Sequence, residues 1–392
     1  MGEGEDGVMA KLGEICTVVS GSTPKTSVAS YWDGSIKWIT PAELNNESFY
    51  ITDSVRHITE EGKEKTGLSS FPAGTVILSS RAPIGKTAIA GCEMCCNQGF
   101  KNLICSEKIY NEYLYFFLKS KTNYLNSLGR GATFKEISKT IVENIEVPLP
   151  DINQQKGIAE KFKKLEELIS LRKQQLAKLD ELVKARFVEM FGDCKTNPKN
   201  WKTKALEKIA NVGSSKRVFV EELQDSGIPF YRGTEIGALA EKKAVIPALF
   251  ITEEHYKQLC ETTGKPQKGD LLMPSICPDG RIWIVDTDEP FYFKDGRVLW
   301  VHLTSANYNS VFLLYTLKDG IMTDYASIAS GTTFAELKIF ALKKCKIFDV
   351  PLELQNQFAN FVERVDQQKQ TVQQSLDKLE LMKKALMQEY FG

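Results

Sequence analysis

The stretch Gly131-Ala132-Thr133-Phe134-Lys135-Glu136 returns as Gly331-Thr332-Thr333-Phe334-Ala335-Glu336, 200 residues further along the chain. Two other stretches repeat in the same order, at offsets of 193 and 203 residues: Ile58-Thr59-Glu60-Glu61 as Ile251-Thr252-Glu253-Glu254, and Val147-Pro148-Leu149 as Val350-Pro351-Leu352. A period near half of the 392 residues is far longer than the roughly 20–50 residues of a solenoid repeat. The sequence therefore indicates two copies of one domain, whose two similar surfaces suit a partner with two similar binding sites.

The composition is that of an ordinary globular protein, with 42% hydrophobic and 26% charged residues. The 50 basic and 50 acidic residues give a net charge of zero, which counts mildly against a protein that binds nucleic acid alone. A local basic face, or a reader that shares the DNA phosphates with a partner subunit, is compatible with this balance. No apolar run approaches the about 20 residues of a membrane helix, and no signal peptide is visible. Nine cysteines without a regular spacing indicate a reducing compartment, so we expect a cytoplasmic protein that does not bind membranes.

Domain boundaries follow from the repeat. Met1–Val8 has no apolar face and Met9 could be a natural start, so we interpret the segment as a leader remnant. We expect four segments: a recognition domain at 9–150, a long helix at 151–193, a second recognition domain at 198–350 and a second long helix at 351–392.

The part of each copy that precedes its long helix, called the head from here on, combines short strands with a few helices. Trp38–Pro41 and Thr75–Leu78 are rich in β-branched and apolar residues and are predicted strands. Tyr113–Lys119 predicts a buried helix, and the similar stretch Phe312–Lys318 predicts the corresponding helix in the second copy. Mixed strands and helices of this kind predict an α+β fold for each head.

A heptad pattern follows each head, with apolar residues at alternating steps of three and four. Each helix would be about 55–60 Å long and cannot bury such a stripe alone. The repeat makes an antiparallel, pseudo-two-fold pair of coiled-coil helices the simplest packing, with the heads at opposite ends. We expect the packing and subunit-docking positions to be Ile158, Phe162, Leu165, Ile169, Leu176, Leu179 and Val183 in the first helix, and Phe361, Val365, Val372, Leu379 and Met382 in the second.

Motifs for catalysis are weak. Gly85-Lys86-Thr87 lacks the glycine that a phosphate-binding loop needs five residues earlier, where Ser80 stands. The cluster Cys92–Cys96 has no second cysteine pair, as a structural zinc site normally requires. The three histidines are not near a serine or cysteine nucleophile in any recognisable motif. We therefore predict no catalytic residue, no metal site and no cofactor bound by this chain.

Polar and basic turns occupy matching places in the two copies and favour recognition of DNA. Arg, Lys, Asn and Gln side chains bind base edges, whereas Ser, Thr and glycine-rich backbone bind phosphates. The candidate DNA contacts are Thr23, Lys25, Lys37, Thr40, Arg81, Lys86, Asn97, Gln98, Lys101, Arg130 and Lys135 in the first copy, and Lys216, Arg217, Arg232, Ser275, Arg281, Lys294 and Arg297 in the second.

These turns keep their places but change their residues between the copies. Ile276 stands in the turn that matches Arg81, and Arg232 in the turn that matches Thr40. A homodimer that binds a palindrome needs identical heads. The sequence therefore predicts two heads that bind two different half-sites.

On these residues the chain resembles the specificity subunits of type I restriction–modification systems, over about Lys11 to Gly392. The second copy departs from the pattern, because its Gly-x-Thr-Pro and Tyr-Trp-x-Gly elements are eroded. The resemblance rests on the following stretches and their order: Gly21–Pro24, Tyr31–Gly34, Trp38–Pro41, Gly131–Ile137, and Val147–Pro150 with Gln154–Gln155 before a long helix.

The resemblance implies two target recognition domains, each of which binds one half of a bipartite, asymmetric site in double-stranded DNA. The paired helices would act as a spacer and as the docking surface for two modification subunits. Those subunits would hold S-adenosylmethionine, and restriction subunits would add ATP- and Mg-dependent translocation and cleavage. This chain would then be a non-catalytic subunit. The alternative is a non-enzymatic coiled-coil scaffold whose two heads bind proteins.

Overall fold

A computed structural model describes residues 8–45, 47–81, 83–131, 135–330 and 335–392. Most of the leader interpretation (Met1–Gly7) and the repeated Thr-Phe pairs (Thr133–Phe134 and Thr333–Phe334) fall outside the described residues. The chain divides into two compact units, Met1–Gln174 with Gln373–Gly392, and Gln175–Val372. No helix among the described residues is long and apolar enough to cross a membrane.

The first unit contains the first head. Its strands are β1 Met9–Lys11, β2 Cys16–Ser20, β3 Trp32–Ile39, β4 Tyr50–Ile51, β5 Arg56–Ile58, β6 Val76–Leu78, β7 Thr87–Ala90, β8 Cys95–Cys96, β9 Lys101–Cys105 and β10 Glu146–Pro148. Its helices are α1 Leu12–Ile15, α2 Glu60–Thr66, α3 Asn111–Ser120, α4 Thr122–Leu128, α5 Lys139–Glu143 and the first part of α6 Ile152–Phe191.

A five-stranded sheet in the order β2-β9-β6-β7-β4 forms the centre of this head, beside a three-stranded sheet in the order β5-β3-β8. All three residues of β6 are buried, which explains the apolar, β-branched run at Val76–Leu78. Every residue from Tyr113 to Leu118 in α3 is buried, so the predicted buried helix is confirmed. β1 pairs with β10 and ties the start of the head to the strand before α6.

The second unit contains the second head. Its strands are β11 Thr203–Ala205, β12 Ala210–Gly213, β13 Ile228–Tyr231, β14 Phe250–Ile251, β15 Leu271–Pro274, β16 Trp283–Ile284, β17 Tyr292–Phe293, β18 Val298–Leu303, β19 Ala329–Ser330, β20 Glu336–Leu337 and β21 Lys346–Phe348. Its helices are α7 Gly233–Ala240, α8 Glu253–Thr263, α9 Ser310–Ile328, α10 Ile339–Lys343 and the first part of α11 Leu352–Phe391.

The strand topology of the second head repeats that of the first. β3 pairs antiparallel with β5 and parallel with β8, just as β13 pairs antiparallel with β14 and parallel with β17. The sheet order β12-β18-β15-β16 repeats the order β2-β9-β6-β7. The predicted fold class, α+β with two similar recognition domains and two long helices, is confirmed.

The long helices α6 and α11 are both 40 residues long and antiparallel within each unit. In the first unit, Lys383 near the end of α11 lies 2.6 Å from Glu166 near the start of α6. In the second unit, the Phe187 ring near the end of α6 lies 5.5 Å from the Phe358 ring near the start of α11. Each head is therefore packed against the beginning of its own helix and the end of the other copy's helix.

Aromatic rings form these contacts. In the first unit, Phe391 at the end of α11 stacks on Phe162 at 5.7 Å and meets Tyr113 of α3 at 5.3 Å, measured between ring centroids. In the second unit, Phe191 at the end of α6 meets Phe312 of α9 at 4.8 Å. The last aromatic residue of each helix thus closes the core of the head formed by the other copy.

We call the packing positions of the two long helices the seam. Most of the predicted seam is buried or half-buried, but the prediction that Met382 packs in it is wrong. Met382 is 53% exposed, and Lys383 takes the inward position. The Lys383 ammonium donates to Glu166, so its charge is paired while its side chain is half-buried. Phe187 and Phe358 are buried seam residues that the predicted set omitted.

Candidate nucleic-acid interface

Turns that are scattered over the first head in sequence come together in its structure. The Lys86 ammonium donates to the carbonyl oxygen of Leu44 at 2.6 Å and joins the turn after β6 to the turn after β3. The backbone N–H of Ser80 donates to Gly99 at 2.7 Å and joins the turn before β9. The N–H of Ser22 donates to Cys96 at 3.1 Å and adds the turn after β2.

The repeated stretch around Glu136 completes this surface. Glu136 exchanges backbone hydrogen bonds with Arg130 at 2.9 and 3.0 Å, and the following N–H, of Ile137, donates to Ser80 at 3.0 Å. We call the surface formed by the described residues at 20–25, 40–44, 80–81, 83–86, 97–101, 130–131 and 135–136 the first turn surface. It gathers most of the candidate DNA contacts of the first head.

Glu136 is the centre of an ion-pair cluster on this surface. Its carboxylate accepts from Arg81 Nε at 2.8 Å and from Lys101 Nζ at 3.2 Å. Burial alone would raise the pKa of the Glu136 carboxyl, but Arg81 and Lys101 outweigh that effect and hold the pKa below its ordinary value. The carboxylate therefore stays charged and binds two basic side chains from two other turns.

The second head gathers its turns in the same way. The N–H of Ser275 donates to Arg297 at 2.9 Å, and the N–H of Leu337 donates to Ser275 at 2.7 Å. The Ser214 hydroxyl donates to Val298 at 2.6 Å, which fixes the turn after β12. We call the surface formed by the segments at 213–217, 231–236, 275–281, 294–297 and 335–338, which include the start of α7 and strand β20, the second turn surface.

Glu336, which repeats Glu136, again binds two basic side chains. Its carboxylate contacts Arg297 and also lies 3.3 Å from Lys338 Nζ. The second turn surface also holds Arg232, which binds Glu235 through both Nε and Nη2. Burial would raise the pKa of Glu235, but Arg232 and neighbouring donors lower it to about 2. The acidic position is thus the same in both heads. One basic partner lies at the start of β9 in the first head and just before β18 in the second, whereas the other is Arg81 in the first head and Lys338 in the second.

Comparison with known proteins identifies the family. A family model for the type I restriction modification DNA specificity domain matches this chain twice, at residues 5–181 and 198–381. The chain belongs to the type I restriction–modification specificity-subunit family.

Relatives and solved structures agree with this assignment. The specificity subunit of the type I restriction enzyme MjaIX of Methanocaldococcus jannaschii is 31% identical over 382 residues, which is 92% of this chain and 86% of that protein. The S subunit structure from M. genitalium covers 100% of this chain and 98% of its own, with a TM-score of 0.57 and 16% identity. A chain from a study of complex assembly in the type I R-M system gives a TM-score of 0.63 at 18% identity and covers 98% of both chains. These two structures show a shared fold.

On the turn surfaces of this specificity subunit, some of the predicted DNA-contact residues are exposed and others are buried or half-buried. Lys101 and Ser275 are buried, at 7% and 2% exposure. The Lys101 side chain pairs with Glu136, and the backbone of Ser275 bonds to Arg297 and Leu337, so both residues hold segments of the surface together. The half-buried candidates are Thr23, Lys37, Thr40, Lys86, Asn97, Arg281 and Lys294. The exposed candidates are Lys25, Arg81, Gln98, Arg130, Lys135, Lys216, Arg217, Arg232 and Arg297.

Several half-buried candidates are already engaged. The Lys37 ammonium donates to the Thr52 carbonyl oxygen at 2.6 Å, and Arg281 pairs with Asp279. The Lys86 ammonium donates to backbone carbonyls, so the Gly-Lys-Thr stretch forms a structural turn. Among the described residues there is no cluster of histidine, cysteine and acidic side chains that could hold a metal ion.

Glu136 and Glu336 belong to the repeated stretch but are not among the predicted contact residues. The available signal was their fixed offset of 200 beside turns whose basic residues vary. A repeated acidic residue among variable basic residues indicates a carboxylate that organises the surface.

Proposed function

We propose that this chain determines which DNA sequence a type I restriction–modification complex recognises. The first turn surface binds one half of a bipartite, asymmetric site in double-stranded DNA, and the second binds the other half. The observation that carries this proposal is the convergence of matching turns in each head around Glu136 or Glu336, with different exposed basic residues in the two heads. A common scaffold with different side chains is what two unlike half-sites require.

The long helices set the gap between the half-sites and dock two modification subunits. The docking role is supported by large apolar side chains of the helices that remain exposed. They include Leu168, Leu171 and Leu381 in the first unit and Leu182 and Val188 in the second. Exposed apolar groups along a helix favour contact with another protein. Specificity subunits with zero net charge can also share the DNA phosphates with such partners.

The chemistry belongs to those partners. The modification subunits hold S-adenosylmethionine and methylate the DNA, and restriction subunits supply ATP- and Mg-dependent cleavage. This chain works in the cytoplasm as a non-catalytic subunit and binds no cofactor itself.

Selection from random duplexes tests the proposal. The chain, co-purified with its modification subunits, is incubated with a randomised duplex pool, and the bound fraction is sequenced. The expected result is a split motif with two different halves and a fixed gap. Absence of any enriched motif, with the modification subunits present, would overturn the proposal and favour the scaffold whose heads bind proteins.

A further inference from the structure

Arg81 is held through one nitrogen of its guanidinium, and its side chain remains partly exposed. Its Nε donates to Glu136 Oε2 at 2.8 Å, and its side chain is 44% exposed. Within the described residues, this is the contact that the structure gives the Arg81 side chain. A guanidinium bound through Nε retains the two terminal nitrogens, which can donate as a pair to the O6 and N7 atoms of guanine.

The charges of the cluster favour this use of Arg81. Lys101 has a side chain that is only 9% exposed and pairs with Glu136 Oε1 at 3.2 Å. The two basic groups and one carboxylate sum to one positive charge, and Arg81 is the exposed basic member. Because the buried Lys101 offsets the carboxylate, the positive potential of Arg81 is preserved toward DNA.

The backbone fixes the position of this side chain. Arg81 and Glu136 face each other across an antiparallel bridge, and Glu136 faces Arg130 in the same way. Gln98 and Lys135 lie exposed on the same first turn surface. An arginine whose rotamer is held before binding loses less side-chain freedom when it contacts a base.

We propose that Arg81 binds a guanine in the major groove of the half-site recognised by the first head, and that Glu136 is its positioning residue. The inference rests on the proposed function and names one contact within it. The second head places Ile276 in the matching turn, and its Arg297 contacts Glu336 through Nη1. The guanine contact through Arg81 therefore belongs to one half-site alone.

Substitution of Arg81 by lysine tests the contact, since lysine keeps the charge and loses the planar fork. The split motif is selected for the wild-type complex and for Arg81→Lys and Arg81→Ala. We expect discrimination at one G·C pair to fall by about 5- to 150-fold in both variants. The other half-site and the gap stay unchanged. With Arg81→Lys the dependence of affinity on salt also stays, because the number of phosphate-neutralising charges is the same.

Glu136→Gln tests the positioning role. A residue that only stabilises the head would lower affinity for all duplexes alike. A positioning residue lowers discrimination at the same base pair as Arg81 does, by about 3- to 10-fold, and adds little when Arg81 is already alanine. Glu61→Gln, at an exposed position of α2, is the matched control and should leave the motif unchanged.

The outcomes separate the two proposals. If the wild-type complex selects no motif, the proposed function fails. If it selects a split motif and Arg81→Lys selects the identical motif, the guanine contact is refuted while the proposed function stands. A change spread over both half-sites in Arg81→Lys would also refute it.

Discussion

The side chain of Gln155 accepts a hydrogen bond from the backbone N–H of Tyr110 at 2.8 Å. Its amide also donates to the carbonyl oxygens of Lys108 and Pro150, and the residue is fully buried. Gln355 repeats this arrangement 200 residues later, with the N–H of Asn309 at 2.9 Å. Gln155 thus joins the first turn of α6 to the loop before α3, and Gln355 joins the first turn of α11 to the loop before α9.

Replacement of either glutamine by alanine should destabilise the protein. Gln155→Ala leaves backbone groups without their buried partners, so we expect a loss of about 3 kcal/mol in the free energy of unfolding. Gln355→Ala should cost a similar amount. Urea denaturation measures both, and Gln154→Ala, at an exposed neighbouring position, is the control. A loss no larger than that of the control would contradict the role given to these residues.

The ring of Phe391 should be as important to the first head as any residue within it. Its contacts with Phe162 and Tyr113 close a core whose other members are far away in sequence. Phe391→Ala should lower the free energy of unfolding by about 3–5 kcal/mol, as expected for a phenylalanine removed from a packed core. Thermal and urea unfolding would both report the change.

Met382→Ala is the matched control for Phe391→Ala. Met382 is 53% exposed, so its truncation should change stability by no more than about 0.5 kcal/mol. A large loss for Met382→Ala would show that the sequence-based seam was right at this position and that the inward placement of Lys383 is wrong.

The error at Met382 shows what periodicity could and could not predict. From Leu379 the next seam position is three or four residues on, and hydrophobicity alone selects Met382 over Lys383. In the structure Lys383 takes the seam position because its ammonium pairs with Glu166 at 2.6 Å. This contact joins residues that are far apart in sequence. The repeat could be predicted because similar stretches recur about 200 residues apart, and the α+β class and most of the seam could be predicted because they depend on local pattern.

The turn surfaces depended on information that local pattern does not carry. Arg81 and Lys101 meet at Glu136 only because the sheet order places β6 beside β9 and brings Ile137 back to Ser80. The repeat indicated which turns correspond between the heads. It did not indicate which turns touch within one head, so the burial of Lys101 and Ser275 could not be predicted.

Glu166 should make the stability of the first unit depend on acid pH. Burial alone would raise the pKa of this carboxyl, but the ammonium groups of Lys119 and Lys383, at 3.1 and 2.6 Å, outweigh it and hold the pKa below the ordinary 4.5. A carboxyl with a lowered folded-state pKa stabilises the fold above the ordinary value and loses this contribution as the pH falls through the folded-state pKa. We expect Glu166→Gln to be less stable than the wild type at pH 7, with the difference shrinking below pH 4.5.

Urea unfolding of Glu166→Gln at a series of pH values measures this effect. Glu167→Gln, one residue further along an exposed face of α6, should follow the wild-type curve. A stability difference between Glu166→Gln and the wild type that stays constant from pH 7 to pH 3 would show that the two lysines do not favour the ionised form of the carboxyl.

Lengthening both long helices should move the half-sites apart without changing them. One heptad inserted after Gln174 in α6 and one after Gln374 in α11 keeps the register of the seam, because both insertions preserve the alternating steps of three and four. Seven residues add about 10 Å of helix, which corresponds to about three base pairs of B-DNA.

The motif selected by the lengthened complex measures the gap directly. We expect the two half-sites of the wild type, separated by about three more base pairs, since the turn surfaces are untouched and only the spacer has grown. An insertion in α6 alone displaces one helix against the other by a heptad and is the matched control. It should weaken binding rather than produce a longer gap, because Phe391 would no longer reach the core of the first head. A changed half-site in the doubly lengthened protein would mean that the helices contribute to base recognition, contrary to their proposed role as a spacer.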